Sequence, residues 1–464
     1  MKSKTLTDFF NYALGDVFVK GFLFISLPLL SRLLDPIQYG YLSLINTATI
    51  ILYVFISLNL QNAITNRFMI TSEHFDSYLL SILCFIIPFQ IILIILEPLY
   101  RAPVSSFLGI NEKDFISVLS ICVMLSYIYI YTCYLQASRQ SKRYVIFNIV
   151  AKISEMILIF AFAYFLTSNQ YMSKIYAQMI VNIILITYVS IILWKLSRGK
   201  FNFLYLKEAL IFSLPLIVHV LSNSLLSQAD RLIINKIMGT YSAGIYSFAY
   251  NLGMCVIVVI MAWNSSWQPK LYKLINIRDN EAIKRATYAS TVLIFLICAL
   301  SMLFSKEMVV FLASDKYYDS IPILPLIIIG NSLIHIYLVY VNFIFYKKKT
   351  VIISCATLGA LGINIILNYY LIPKFGIAGS AWATVVAYFF LAALHYTTAT
   401  YITRNNIIPF KYLIFYSVGL LLVYPVTLYL NEMDLISGLV LKLIIALMVI
   451  IFIAKSKILK SLSE

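Results

Sequence analysis

The chain has 464 residues, is 62% hydrophobic and only 12% charged, and carries a formal net charge of +16 at pH 7. Soluble domains carry about twice that share of charge, so an ordinary water-soluble globular protein is excluded. A nucleic-acid reading of the positive excess is disfavoured as well, because the cations gather in the connections on one side of a series of apolar runs.

Taken in order, the apolar runs predict fourteen membrane-spanning helices, at roughly 10–33, 41–63, 78–98, 115–136, 144–166, 174–194, 208–236, 242–266, 286–304, 322–346, 350–372, 376–400, 411–430 and 437–454. Each is long enough to cross a hydrocarbon core of about 30 Å. The ~10-residue alternating segments of a β-barrel are absent. The first run begins near Phe9 without a small-residue cleavage pattern, so no cleavable signal peptide is expected. Connections are short, which argues against a polymerase or ligase with a large extracytoplasmic loop. The fold class expected is an all-α polytopic membrane protein.

Charge inside such runs is costly, at least about 2.5–3.5 kcal/mol per group at mid-bilayer, and so needs a reason. Span one carries Asp16 and Lys20, four apart on one helix face, with Arg32 and Asp35 at its far end. Span five carries Lys152 and Glu155, three apart. The stretch Lys207–Tyr250 opens the second half, with Asp230, Arg231 and Lys236 towards the outer end of span seven. Two readings stay open. The charges are ion pairs that hold helices in register, with terminal cations snorkelling to the interface. Alternatively they face a hydrated cavity, where Lys20, Lys152 and Arg231 bind an anionic group and Asp16, Glu155 and Asp230 orient them or take protons. Spans nine to twelve hold no Asp, Glu, Lys or Arg in their apolar cores. Their His335 and His395, like His219, read as packing hydrogen-bond donors, and His74 as a solvated loop residue. The stretch Gly376–Ala381 reads as a site of close helix packing. The six cysteines lie in apolar spans without metal or disulfide spacing and read as small hydrophobes.

Orientation follows from lysine and arginine. With a cytoplasmic N-terminus, 23 of the 35 fall in inside segments and only Arg101, Lys113, Lys174, Lys306, Lys316 and Lys374 in outside loops. Both termini are then cytoplasmic, and the Lys347–Lys349 run is a topology signal.

An internal repeat is visible. Residues 31–43 align with 235–247 at an offset of 204, placing Arg32 opposite Lys236, and Tyr144-Val145 aligns with Thr350-Val351 at an offset of 206. Six spans plus six make two lobes of like orientation: an N-terminal lobe at 1–200, a C-terminal lobe at 201–404, and a further helix pair at 405–464. No phosphate-cradling loop of the G-x-x-x-x-G-K-[ST] kind, no H-E-x-x-H, no G-x-S-x-G and no Cys/His cluster occurs, so neither an enzyme nor a cofactor site is expected.

The layout and several short motifs resemble the polysaccharide-exporter branch of the MOP superfamily, and Wzx-type O-antigen flippases within it. The motifs are Leu33–Tyr41 (LLDPIQYGY), Phe212–Leu216 (FSLPL) followed by Gln228–Ile234 (QADRLII), Ala243–Ser247 (AGIYS) and Phe375–Ala381 (FGIAGSA). The resemblance covers essentially the whole chain. It implies translocation of undecaprenyl-diphosphate-linked oligosaccharide repeat units across the bacterial inner membrane, through a cationic cavity that Lys20, Lys152 and Arg231 would fit, with Arg32 and Lys236 nearby. Membrane lipids, a polysaccharide polymerase and a chain-length regulator are the partners expected with it. Two rivals remain: a cation-coupled drug or metabolite antiporter of the same superfamily, which Asp16 and Glu155 keep open, and a non-transporting assembly partner of polysaccharide enzymes.

Overall fold

A computed structural model describes residues 21, 24, 26–166 and 168–455. The described residues are helical throughout, without a β-strand: α1 (Pro36–Ser57), α2 (Leu60–Ile70), α3 (Phe75–Leu108), α4 (Glu112–Ala137), α5 (Ser141–Phe165), α6 (Met172–Leu196), α7 (Phe203–Met238), α8 (Thr240–Asn276), α9 (Asn280–Leu303), α10 (Ser305–Leu312), α11 (Leu324–Tyr346), α12 (Thr350–Thr403), α13 (Lys411–Glu432) and α14 (Leu435–Lys455). Eleven of them are long and apolar enough to cross a membrane, and a shorter apolar helix runs over Ile436–Ile451. The all-α membrane class is therefore observed, with eleven such helices among the described residues where fourteen spans were expected. Part of the difference lies in α12, which is two helices joined at Gly376, where the backbone turns non-helical (φ 60°, ψ −145°). Most of the expected first span lies outside the described residues.

Local chemistry sets the helix ends. Asp35 caps α1, accepting from the Gln38 backbone N–H at 2.8 Å, and Pro36 opens the helix. The expected second span is broken at Leu58 and Asn59, both with left-handed backbone (φ 46° and 58°). A break inside hydrocarbon frees backbone groups that must find partners. Here the Gln90 side chain donates to the Ile56 carbonyl at 3.2 Å and to Ser126 Oγ at 2.9 Å, while Asn59 Oδ1 accepts from Gln61 and Asn62. The third span runs further than expected. Arg101 was assigned to a loop, yet α3 continues to Leu108 and Glu97 holds the guanidinium in a two-pronged pair at 2.6 Å.

The chain divides into two compact units, 1–236 and 237–464. The lobes expected from sequence divide near 200 instead, and the difference is the stretch that contains most of α7. Helix α7 belongs to the first unit through its side chains. Leu221, Leu225 and Leu232 pack on the core around Leu44, Ile121 and Cys122, and Ala209 joins a second core around Tyr78 and Ile82. At one end Arg67 pairs with Glu208 at 3.4 Å.

Each unit is organised around one helix. In the first it is α4, which packs on α1, α2, α3, α5 and α6. In the second it is α11, nearly all of whose residues are buried. Small and polar side chains bind α11 to its neighbours, as membrane helices require. Asn331 donates to the Gly253 carbonyl on α8 at 3.2 Å, and Asn342 donates to Asn264 at 2.8 Å. His335 shares a 3.0 Å hydrogen bond with Thr291 of α9 and stands against the Trp263 ring, 4.3 Å away, as its packing role predicted. His395 differs: it is buried beside the Tyr337 ring, and neither ring nitrogen has a hydrogen-bond partner among the described residues. The Gly376–Ala381 stretch packs closely, though on its own chain. A Cβ at Gly379 would lie 2.4 Å from the Leu371 carbonyl oxygen, and Ser380 donates to Asn368 at 2.6 Å.

Segments assigned to one side of the membrane meet one another. Asp114 accepts from the hydroxyls of Tyr41 (2.8 Å) and Tyr171 (3.2 Å), and Tyr171 N–H donates to Gln38, joining three expected outside connections. On the expected inside, the Lys200 and Asn202 backbones donate to Ser77 and Ser81, with Gly199 so close that a Cβ would meet the Ser77 backbone. In the second unit, Lys306 donates to the carbonyls of Asn431 and Met433 at 2.7 Å, and Lys442 is fully buried against Glu307 at 2.8 Å.

The last contact is a buried ion pair, and removing one partner of such a pair strands the other charge. Lys442→Met is expected to destabilise the second unit by about 3–5 kcal/mol, and Lys442→Met with Glu307→Leu to restore most of the loss. Thermal unfolding of the purified protein in detergent checks both.

Candidate functional site

The intramembrane charges do not all share one environment. On α5, Lys152 and Glu155 stand one turn apart, so their side chains leave the same helix face. The Lys152 ammonium donates to Glu155 Oε2 at 2.8 Å. The pair is not isolated. Lys174, near the start of α6, lies within electrostatic reach of both Glu155 and Lys152. Tyr129 of α4 feels the same two charges. The Tyr129 ring packs edge-on against Tyr53 of α1, with centroids 5.1 Å apart. Lys174 and Tyr129 thus each lie within electrostatic reach of the Lys152–Glu155 pair, and Tyr53 packs on Tyr129.

The balance of this cluster is one positive charge in excess. A single carboxylate cannot neutralise two ammonium groups, and Lys152 keeps 41% of its side-chain surface open. The residual positive field in a low-dielectric setting attracts an anion far more strongly than a water-exposed lysine would. Lysine binds phosphate as a compact point charge, without the fixed geometry of an arginine fork.

Asp230 and Arg231 sit elsewhere on the unit, and both are buried. Arg231 Nη1 donates to the Ser227 carbonyl at 2.8 Å and to Gln228 Oε1 at 2.6 Å, on its own helix. Gln228 Oε1 also accepts from Thr47 of α1 at 3.4 Å, so the guanidinium braces α7 against α1. Arg32 and Lys236 are exposed at the ends of their helical stretches. Asp35 serves as the α1 cap rather than as a charge within a span. Asp16 and Lys20 lie outside the described residues. Of the charges singled out from sequence, the fold joins Lys152 to Glu155 in one pair and buries Asp230 and Arg231 together on α7.

Sequence reasoning missed Lys174, Tyr129 and Tyr53. Lys174 was counted as a loop cation, because hydropathy starts the sixth span at about its position. Its signal was available only as a lysine at the mouth of a span that follows one with its own Lys and Glu. Glu307 and Lys442 were also missed, although Lys442 is the single charge within an otherwise apolar last span.

The sequence from residue 5 to residue 275 matches the family of polysaccharide biosynthesis proteins. The chain belongs to that family. It is 23% identical over 403 residues to Lsg locus putative protein 1 of Haemophilus influenzae, covering 83% of this chain and 98% of that protein. Among solved structures, it is similar to the lipid II flippase MurJ in an inward closed conformation, with a TM-score of 0.68 and 15% identity over 96% of this chain and 97% of that one. An inward-facing MATE-family multidrug resistance transporter of the MOP superfamily also superposes, with a TM-score of 0.59 and 16% identity over 84% of this chain and 96% of that one. At these identities the structural likeness establishes the fold, which members of this polysaccharide family and drug transporters hold in common.

Glu155→Gln leaves the two ammonium groups with no carboxylate between them. It is expected to lower stability by about 1 kcal/mol, discounted for the open side of Lys152. Adding Lys152→Met is expected to recover part of that loss, because the like-charge opposition to Lys174 disappears. Melting curves of the wild type and the two variants check the order.

Proposed function

We propose that the protein is a flippase that carries undecaprenyl-diphosphate-linked oligosaccharide repeat units, of O-antigen or a similar glycan, from the cytoplasmic to the outer leaflet of the bacterial inner membrane. It works by alternating access of two repeat-related halves and supports the assembly of surface polysaccharide. It acts as a transporter and not as an enzyme. Family membership supports the polysaccharide context, and the fold supports transport. The observation that carries the reading is the cluster of Lys152, Lys174 and Glu155, whose net positive charge suits a lipid-borne diphosphate.

In this reading Lys152 and Lys174 meet the diphosphate and Glu155 holds Lys152 in place until the anion arrives. Lys20 and Asp16, which lie outside the described residues, are assigned the same anion-binding and orienting roles on the strength of the sequence alone. Arg231, Arg32 and Lys236 act nearer the outer end, where the repeat sets Arg32 and Lys236 opposite each other, and Asp230 orients Arg231. The aromatic faces of Tyr129 and Tyr53 suit sugar rings, which stack on phenols. A polysaccharide polymerase and a chain-length regulator are the expected downstream partners.

Glu155 and the likeness to MATE transporters favour one rival, a cation-coupled antiporter of drugs or metabolites. The two readings separate in the cell. Lys152→Met, Lys174→Met, Lys20→Ala and Arg231→Ala are each expected to cut surface polysaccharide several-fold at unchanged protein level, and deletion of the gene to abolish it. Surface polysaccharide that persists in a clean deletion strain without a paralogue would sink the flippase reading. Efflux of cationic dyes that disappears in Glu155→Gln would favour the antiporter.

A further inference from the structure

A second feature lies in the other unit. A cavity of about 450 Å³ opens between α9 and α13, lined by Tyr288, Thr291, Val292, Phe295, Lys411, Tyr412, Phe415 and Tyr416. It is a wedge. At its closed end the helices touch: a Cβ on Gly419 would stand 2.8 Å from the Phe295 ring, so glycine there permits the approach. Phe295 in turn packs edge-on against Tyr416, with centroids 5.9 Å apart. At the other end stands Lys411, the first residue of α13, on the side that lysine and arginine counting assigns to the cytoplasm.

The wedge is graded along its length. On α9 the positions Arg285, Tyr288, Val292 and Phe295 follow at three- and four-residue steps, so they form one face that runs from cation through phenol to hydrocarbon. On α13, Lys411, Tyr412 and Phe415 repeat that order. The Tyr288 and Tyr412 rings meet edge-on, with centroids 6.2 Å apart. The Thr291 hydroxyl is engaged by His335 and the Tyr416 hydroxyl by the Ser332 carbonyl, which leaves the inner wall apolar. Nearby acids are already occupied: Glu281 pairs with Lys284 at 2.9 Å, and Asp279 caps α9 through the Ala282 N–H. Arg285 and Lys411 are exposed, and Phe415 leaves 71% of its surface open.

We propose that this wedge binds one anionic phospholipid of the cytoplasmic leaflet, its phosphate between Lys411 and Arg285 under the two tyrosine hydroxyls, and one acyl chain along Val292, Phe295 and Phe415. Charge complementarity selects this occupant. Two exposed cations, Lys411 in the lining and Arg285 one turn before Tyr288 on α9, favour an anionic headgroup over a zwitterionic one, and phenols at the headgroup level bridge water and hydrocarbon. A slot that narrows to the Gly419–Phe295 contact admits a chain and stops a helix. The proposal is independent of the flippase reading, since it concerns a resident lipid of the second unit.

The test is native mass spectrometry of the full-length protein, purified in detergent and equilibrated with equal amounts of phosphatidylglycerol and phosphatidylcholine. The expected result is one retained phosphatidylglycerol in preference to phosphatidylcholine. Lys411→Gln and Arg285→Gln are each expected to lower that preference about five-fold, the worth of one cation near an anionic headgroup. Val292→Trp fills the slot with both cations in place and is expected to remove the retained lipid. Lys349→Gln, on another inside connection, is expected to change nothing. Equal retention of the two lipids by the wild type, or a preference unmoved by Lys411→Gln and Arg285→Gln, overturns the proposal. So does a Val292→Trp protein that keeps its lipid, or a second copy of the chain found seated in the wedge. If Lys411→Gln does not fold, Arg285→Gln and Val292→Trp decide alone. Because the readout is lipid retention, a failure here leaves the polysaccharide phenotype untouched, and the reverse holds.

Discussion

One constraint underlies the whole molecule: inside hydrocarbon, every backbone N–H and C=O must find its partner within the protein. Helices meet it by default, and so the described residues contain helices and short connections alone. The informative places are those where a helix is interrupted. At Leu58–Asn59 the freed Ile56 carbonyl is served by Gln90, which reaches across from α3 and also donates to Ser126 on α4. One amide therefore ties three elements at the point where the backbone is weakest. At Gly376 the interruption is handled differently. A residue without a Cβ takes a positive φ, and the two arms of α12 close on each other through Gly379, Ser380 and Asn368.

The same economy governs charge. An unpaired ion in the membrane is too costly to keep without purpose. In the second unit Glu307 and Lys442 bury each other, with Asn431 completing the ammonium's hydrogen bonds. Around Lys152 the first unit gathers a second ammonium, Lys174, against one carboxylate. Arg231 belongs to a middle case, a buried cation whose hydrogen bonds to Ser227 and Gln228 brace α7 rather than leave it open.

The two units are each built around one central helix, but hold it by different chemistry. Helix α4 is the hub of the first and α11 of the second, the fourth and tenth spans in the sequence reading. The hub of the first unit is held by aromatic packing and a few hydroxyls. The hub of the second is held by asparagines, Ser332 and His335 that reach four neighbours.

By itself, the sequence determined the all-helical membrane class, the approximate positions of most spans, their alternation and the partner of Lys152. These follow from local quantities: run length, the three-residue spacing of one helix face, and the lysine and arginine balance of short connections. Tertiary structure decided the rest. It joined Lys174 and Tyr129 to the Lys152 pair, tied α7 to the first unit through Leu221, Leu225 and Leu232, extended α3 past Arg101, and matched Glu307 with Lys442. None of these is legible along the chain, because each depends on which face of one helix meets another. Helix rotation within a bundle is set by the summed packing of many side chains, and no local window contains that sum.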